Sequence, residues 1–231
     1  MLEFRFGGPS KRLARILCLG AHCDDIEIGC GATILELIAG NRDLEFYWVV
    51  FSSDPVRERE ARRAAKGFLR GARRSTVIIQ NFRNGYFPHV GREIKDHFEE
   101  LKKSFSPDLI FTHCRHDLHQ DHRTLCELTW NTFRDHAILE YEIVKYDGDL
   151  RTPNVYMPVG ERSCRRKISI LEQAFRSQAD KPWFTRDTFL AILRLRGVEC
   201  ASPSHFAEAY YGRKISVSTP ASRGRARRPS R

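Results

Sequence analysis

No segment of this chain approaches the roughly 18 consecutive apolar residues of a membrane-crossing helix, so no transmembrane span is expected. The basic start and short apolar run of residues 11–19 lead directly into His22 and Asp24, which does not read as a signal peptide. The seven cysteines (18, 23, 30, 114, 126, 164 and 200) contain no CxxC pair and are odd in number. That pattern suits a reducing, cytoplasmic setting better than a disulfide framework. No GxGxxG or Walker pattern is present, and Gly29-Cys30-Gly31 alone does not make a phosphate loop. Acidic residues are missing from Ser216 onward, where Arg223, Arg225, Arg227, Arg228 and Arg231 supply half of the formal charge of +10. Residues 216–231, rich in Ser, Pro, Ala and Arg without an apolar period, are expected to be a disordered basic tail.

What remains is ordinary for a soluble globular chain: 231 residues, 41% hydrophobic and 29% charged. Strand-like and helix-like segments alternate. Arg15–Leu19, Leu44–Phe51, Thr76–Ile79, Asp108–Thr112 and Tyr141–Tyr146 read as strands, with a further one at 153–158. Gly31–Ala39, Pro55–Leu69, Arg92–Phe105 and His122–Phe133 read as helices, followed by others near 161–177 and 185–195. This βαβα order predicts a Rossmann-like, three-layer α/β/α sandwich with a mainly parallel sheet. With no internal repeat or linker, residues 1–215 are expected to form one domain.

Two short segments carry the chemistry. Gly20-Ala21-His22-Cys23-Asp24-Asp25-Ile26-Glu27 follows the first strand, and His119-Gln120-Asp121-His122-Arg123 follows the fourth. In an open parallel sheet, ligands collect beyond the carboxyl ends of the strands. Imidazole and carboxylate are the donors of a catalytic divalent metal that keeps one position open for water. One such histidine would be a surface residue, and one Asp pair a turn or helix cap; two clusters at two strand ends point to a metal. His22 and Asp25, three apart, can reach one ion. A third donor must come from elsewhere, and His113, His116, His119 and His122 recur every three residues. Spacing does not choose among them.

Ala21-His22-Cys23-Asp24-Asp25-Ile26-Glu27-Ile28-Gly29-Cys30-Gly31 resembles the AHPDD(x)E signature of the PIG-L/LmbE-like zinc-dependent N-deacetylases. His119-Gln120-Asp121-His122-Arg123 resembles that family's second signature, HPDHR. The resemblance extends over most of residues 14–210. It implies that His22, Asp25 and His122 hold Zn²⁺, a donor set that also suits Fe²⁺. It implies Asp24 as general base, His119, when protonated, at the oxyanion and leaving group, and Asp121 as the carboxylate that orients His119. Cys23 and Gln120 stand where the family usually has proline; Cys23 is read as a non-ligand. Arg57 resembles the arginine of the family's RxxE helix start, implying substrate contact, although a salt-bridged helix surface would also explain it. Tyr141–Asp149, Phe175–Gln178, Trp183-Phe184 and Arg196–Glu199 resemble a subset acting on glycans and glycosylated natural products. Their aromatics are core candidates first and sugar-stacking candidates second.

The implied activity is removal of an N-acetyl group from an amino-sugar-containing small molecule or glycoconjugate, with neither nucleic acid nor membrane as partner and a homo-oligomer left open. Two other readings stand beside it: a metal-dependent amidase on a non-sugar substrate, and a nucleic-acid-binding protein using the basic tail.

Overall fold

The computed structural model describes Glu3 and residues 13–216, so the expected basic tail lies, apart from Ser216, outside the described residues. Strand β1 (Arg15–Gly20) is apolar on both faces, as a central parallel strand requires. It pairs in parallel with β2 (Glu45–Val50) on one side and β4 (Leu109–His113) on the other. Outside these lie β3 (Arg74–Ile79) and β5 (Ala137–Tyr141), also parallel. Two antiparallel strands, β7 (Ala207–Tyr211) and β6 (Val155–Pro158), complete the order β3-β2-β1-β4-β5-β7-β6.

Alternate residues of the central strands feed two separate cores. Ile16, Cys18, Phe46, Trp48 and Phe111 pack with helices α1 (Asp25–Gly40), α2 (Pro55–Phe68), α5 (Glu161–Ala174) and α6 (Arg186–Glu199). Leu17, Leu19, Val49, Phe51 and Ile110 pack on the opposite face with α3 (Gly91–Ser104) and α4 (Gln120–Thr132). The mostly parallel seven-stranded sheet between two helical layers is the expected α/β sandwich. Because the chain leaves β1 in one direction toward β2 and returns on the other side through β4, a crevice opens at the carboxyl ends of β1 and β4.

The structure corrects three element assignments. The fifth strand is Ala137–Tyr141, not Tyr141–Tyr146: Ile138 and Leu139 lie beside Ile110 and Phe111, while Glu142 and Lys145 leave the sheet to pair with Arg196 and Asp117. β7, whose Glu208 interrupts an apolar strand pattern, has no counterpart among the expected elements. Helix α1 starts at Asp25 rather than Gly31 but breaks at Cys30, whose φ of −141° and ψ of 15° are non-helical. Glu208 on β7 caps the second half of that helix by accepting from the Ala32 and Thr33 N–H groups at 2.9 and 2.7 Å. The buried Lys167 ammonium balances its charge at 2.6 Å. In the first half, Gly29 lies against the ring of Tyr141, so close that a Cβ would stand 2.2 Å from the ring carbon Cδ2.

Candidate metal centre

The chain turns sharply after β1, and the Asp25 carboxylate fixes the turn by accepting from the His22 N–H at 2.6 Å. That places His22 Nδ1 3.4 Å from Asp25 Oδ2. From the other side, α4 begins immediately after His119, whose ring Nδ1 caps it by accepting from the Asp121 N–H at 3.2 Å. One turn into the helix, His122 points back into the crevice. Its Nε2 stands 3.1 Å from His22 Nδ1 and 3.6 Å from Asp25 Oδ1. Two donors bound at about 2.05 Å with a tetrahedral angle between them stand about 3.3 Å apart. The separations lie near that value, with Asp25 offering Oδ2 toward His22 and Oδ1 toward His122, so the donor set is compatible with one divalent ion.

The outer nitrogen of each imidazole meets a carboxylate. His22 Nε2 lies 3.2 Å from Asp121 Oδ2, and His122 Nδ1 lies 2.8 Å from Asp117 Oδ2. Such a contact fixes the tautomer that leaves the inner nitrogen free to bind and raises its basicity. Asp121 therefore does not orient His119 through its carboxylate, contrary to the sequence expectation. Its carboxylate is taken up by His22 and by the Gly85 and Phe87 N–H groups at 2.6 and 3.1 Å, and only its backbone N–H meets the His119 ring. Asp117, given no role by sequence, is the missed member of the site. Its carboxylate also accepts from the His119 N–H at 2.8 Å and pairs with Lys145 at 3.1 Å. Its place two residues before His119 was the available signal.

His122 belongs to two sets of closely placed donors, one with His22 and His119 and one with Asp25 and His113. His113 Nε2 lies 2.9 Å from the Ala21 nitrogen and 3.1 Å from Asp25 Oδ2, between the loop after β1 and that carboxylate. His116 is exposed and belongs to neither set. Cys23 is buried and donates to the Ser52 carbonyl, and burial pushes its thiol up to about 12.

The charges of the site are strongly perturbed. Burial opposes protonation of His22, but the Asp25 and Asp121 carboxylates outweigh it and raise its pKa to about 10 in the metal-free chain. Burial and the neighbouring His113 lower His122 to about 3. Asp25 is held well below the usual carboxylate range: burial works against ionisation, and the rings of His122, His113 and His22 overcome it. Asp24 is raised, first by burial and then by Asp25, against the Arg57 guanidinium 2.9 Å away. Arg57 is thus brought to Asp24 on the cleft wall rather than left on the helix surface. Burial and His22 lower the pKa of His119, against the carboxylates of Asp121, Asp25 and Asp117. With Nδ1 accepting from Asp121, that ring carries its proton on Nε2. The cleft above these residues has a volume of about 1150 Å³.

The family model for PIG-L, GlcNAc-PI de-N-acetylase, matches residues 17–133 and so spans both motifs. No curated protein is significantly similar in sequence. Among solved structures, a conserved protein from Thermus thermophilus is 19% identical with a TM-score of 0.71, covering 91% of this chain and 99% of its own. The N,N'-diacetylchitobiose deacetylase of Pyrococcus horikoshii is 19% identical with a TM-score of 0.65, over 91% and 87%. The 4-carboxy-2-hydroxymuconate hydratase of Pseudomonas putida is 14% identical with a TM-score of 0.66, over 90% and 99%. At these identities the likeness is one of fold, and the fold carries more than one reaction.

Proposed function

Because this chain belongs to the PIG-L family of GlcNAc-PI de-N-acetylases, we propose that it is a metal-dependent hydrolase that cleaves the N-acetyl amide of an amino sugar or glycoconjugate, yielding acetate and the free amine. Residues 1–215 form its one catalytic domain in this reading. The observation that carries it is the convergence of His22 Nδ1, Asp25 and His122 Nε2 within 3.1–3.6 Å, beside a carboxylate that is not one of the three donors.

In this proposal His22, Asp25 and His122 hold Zn²⁺, or Fe²⁺, which the same donors suit. When bound, the ion supplies Lewis acidity for the amide carbonyl and brings the pKa of water toward 7. Asp24 accepts the proton of the attacking water and later delivers it to the departing amine. Its raised pKa suits both halves of that exchange, and Arg57 holds the carboxylate in place. The Nε2–H of His119 donates to the carbonyl oxygen as it gains negative charge, and a neutral ring suffices for this. Asp121 and Asp117 hold His22 and His122 in the metal-binding tautomer.

Acetate release should be measured over a panel of N-acetylated sugars and non-sugar acetamides, with the protein metal-loaded and after chelation. Metal-dependent release from the sugars supports the proposal. Release confined to non-sugar amides favours the amidase, and no release from any amide returns the fold to other chemistry.

A further inference from the structure

One wall of the cleft is a short loop that has no part in the chemistry above. Asn81, Phe82, Arg83 and Asn84, which follow β3, line the same cleft as the metal donors. Both ends of the loop are anchored. The Phe82 N–H donates to the Phe51 carbonyl at 3.0 Å, and the Phe82 ring meets the fully buried Phe87 ring edge-on with centroids 6.3 Å apart. Between these ends the chain reverses, the Tyr86 N–H donating to the Arg83 carbonyl at 3.3 Å. Gly85, third in the turn, has a φ of +81°, in the left-handed region that glycine occupies without strain.

The hydrogen bond that closes such a turn uses neither the N–H nor the C=O of its third residue, and helix α4 takes both. The Gly85 N–H donates to Asp121 Oδ2 at 2.6 Å, and the Gly85 carbonyl accepts from Gln120 Nε2 at 2.5 Å. Gln120 and Asp121 open α4, whose first turn also carries His122. One rigid turn of helix therefore sets the spacing between this wall and the metal donors. The two clamps differ in their other duties: Asp121 is shared with His22, whereas the Gln120 side chain reaches back to the loop and does not line the cleft.

The wall presents amide donors and acceptors at Asn81 and Asn84 and a guanidinium at Arg83, which stands 3.8 Å over the Tyr86 ring. All three side chains belong to exposed residues, so the order of this wall comes from its backbone. Polar groups held in place before a ligand arrives bind it more tightly, because less freedom is lost on binding.

We propose that Gln120 is a positioning residue for the substrate. By holding the Gly85 carbonyl it keeps the Asn81–Asn84 wall ordered at a set distance from the metal donors, and so lowers KM without touching the reacting groups. The proposal rests on the deacetylase reading and deepens it, adding a residue outside the cleft to those that govern substrate binding.

The test uses three variants of the metal-loaded full chain. Gln120→Pro removes the donor at the first helical position, where proline is tolerated; His119 before it, at φ −71° and ψ 123°, already has the extended backbone proline requires. Gln120→Glu keeps the shape but offers only acceptors, and Gln120→Lys restores a donor. In Gln120→Pro and Gln120→Glu, amide hydrogen exchange over residues 82–87 should quicken about two- to tenfold relative to α3. KM for the N-acetylated sugar that the parent hydrolyses best should rise by a similar factor, with kcat and metal content within about twofold of the parent. Gln120→Lys should return both exchange and KM toward the parent. Parent-like exchange in Gln120→Pro and Gln120→Glu, a Gln120→Lys protein that behaves like Gln120→Glu, or a loss carried by kcat or by metal would overturn the proposal. If acetate is released and exchange quickens but KM stays constant, the deacetylase reading stands and the positioning role fails. If no amide releases acetate, that reading fails and takes the KM effect with it, while exchange across the three variants still decides whether Gln120 clamps the wall.

Discussion

Replacing Asp117 by asparagine separates two functions of one carboxylate. Oδ2 accepts from His122 Nδ1 at 2.8 Å, while Oδ1 accepts from the His119 N–H at 2.8 Å and faces the Lys145 ammonium at 3.1 Å. Both oxygens are acceptors, and an amide offers only one. If the amide oxygen stays on His122, an NH₂ group confronts two donors, an unmatched contact costing about 1–3 kcal/mol of stability. If the amide turns over, its NH₂ group meets His122 Nδ1, which must then accept. The ring proton moves to Nε2, and the nitrogen facing His22 and Asp25 can no longer bind an ion. Loss of such a supporting carboxylate typically weakens metal binding about 10–100-fold, or about 1.4–2.7 kcal/mol. The assay is competition with a chromophoric chelator, paired with a thermal melt of the metal-free protein. Lys145→Met, which leaves the contact with His122 intact, should cost less metal affinity than Asp117→Asn. An Asp117→Asn protein that is as stable as the parent and binds metal within about twofold of it would refute the reasoning.

Asp24→Asn should retain metal, by elemental analysis, yet lose about 10²–10⁴ in turnover on the same preparation. Gly29→Ala should cost about 1–3 kcal/mol or more, because its Cβ meets a buried Tyr141 ring that is anchored to the Leu19 carbonyl at 2.6 Å; calorimetry should show Tm falling by about 2–4 °C per kcal/mol. Burial raises Glu27 well above its ordinary 4.5, and neither of its oxygens has a hydrogen-bond partner. A carboxyl raised on folding costs stability as pH rises above the unfolded value, so the advantage of Glu27→Gln over the parent in urea melts should grow between about pH 4 and 7.

The central strands were legible because burial on both faces writes itself as a continuous apolar run, as in Ile16–Leu19. Helix α2 announced its start with Pro55, and the structure adds Asp54 as its cap, accepting from the Val56 and Arg57 N–H groups at 2.8 and 2.9 Å. The two motifs were legible as motifs, but the carboxylate partners within them were not. Asp121 reaches His22 because α4 turns its second residue toward the end of β1, a relation across about a hundred residues that local spacing does not contain. The alternation in Tyr141–Tyr146 imitated a strand; ion pairs to Arg196 and Asp117 decided otherwise. β7 was hidden because its Glu208 serves a helix cap rather than the strand pattern.

The break at Cys30 joins distant parts of the chain in one cooperative unit. Every donor proposed for the ion lies between His22 and His122, whereas the cap on the helix that follows His22 comes from Glu208 and its charge balance from Lys167. Opening the antiparallel edge of the sheet would strip the Ala32 and Thr33 N–H groups of their acceptor and release the base of the metal loop. By the same linkage, an ion held at His22 and Asp25 tightens a strand nearly two hundred residues away. A fragment ending where the family match ends, at residue 133, would contain all of the donors and none of this brace.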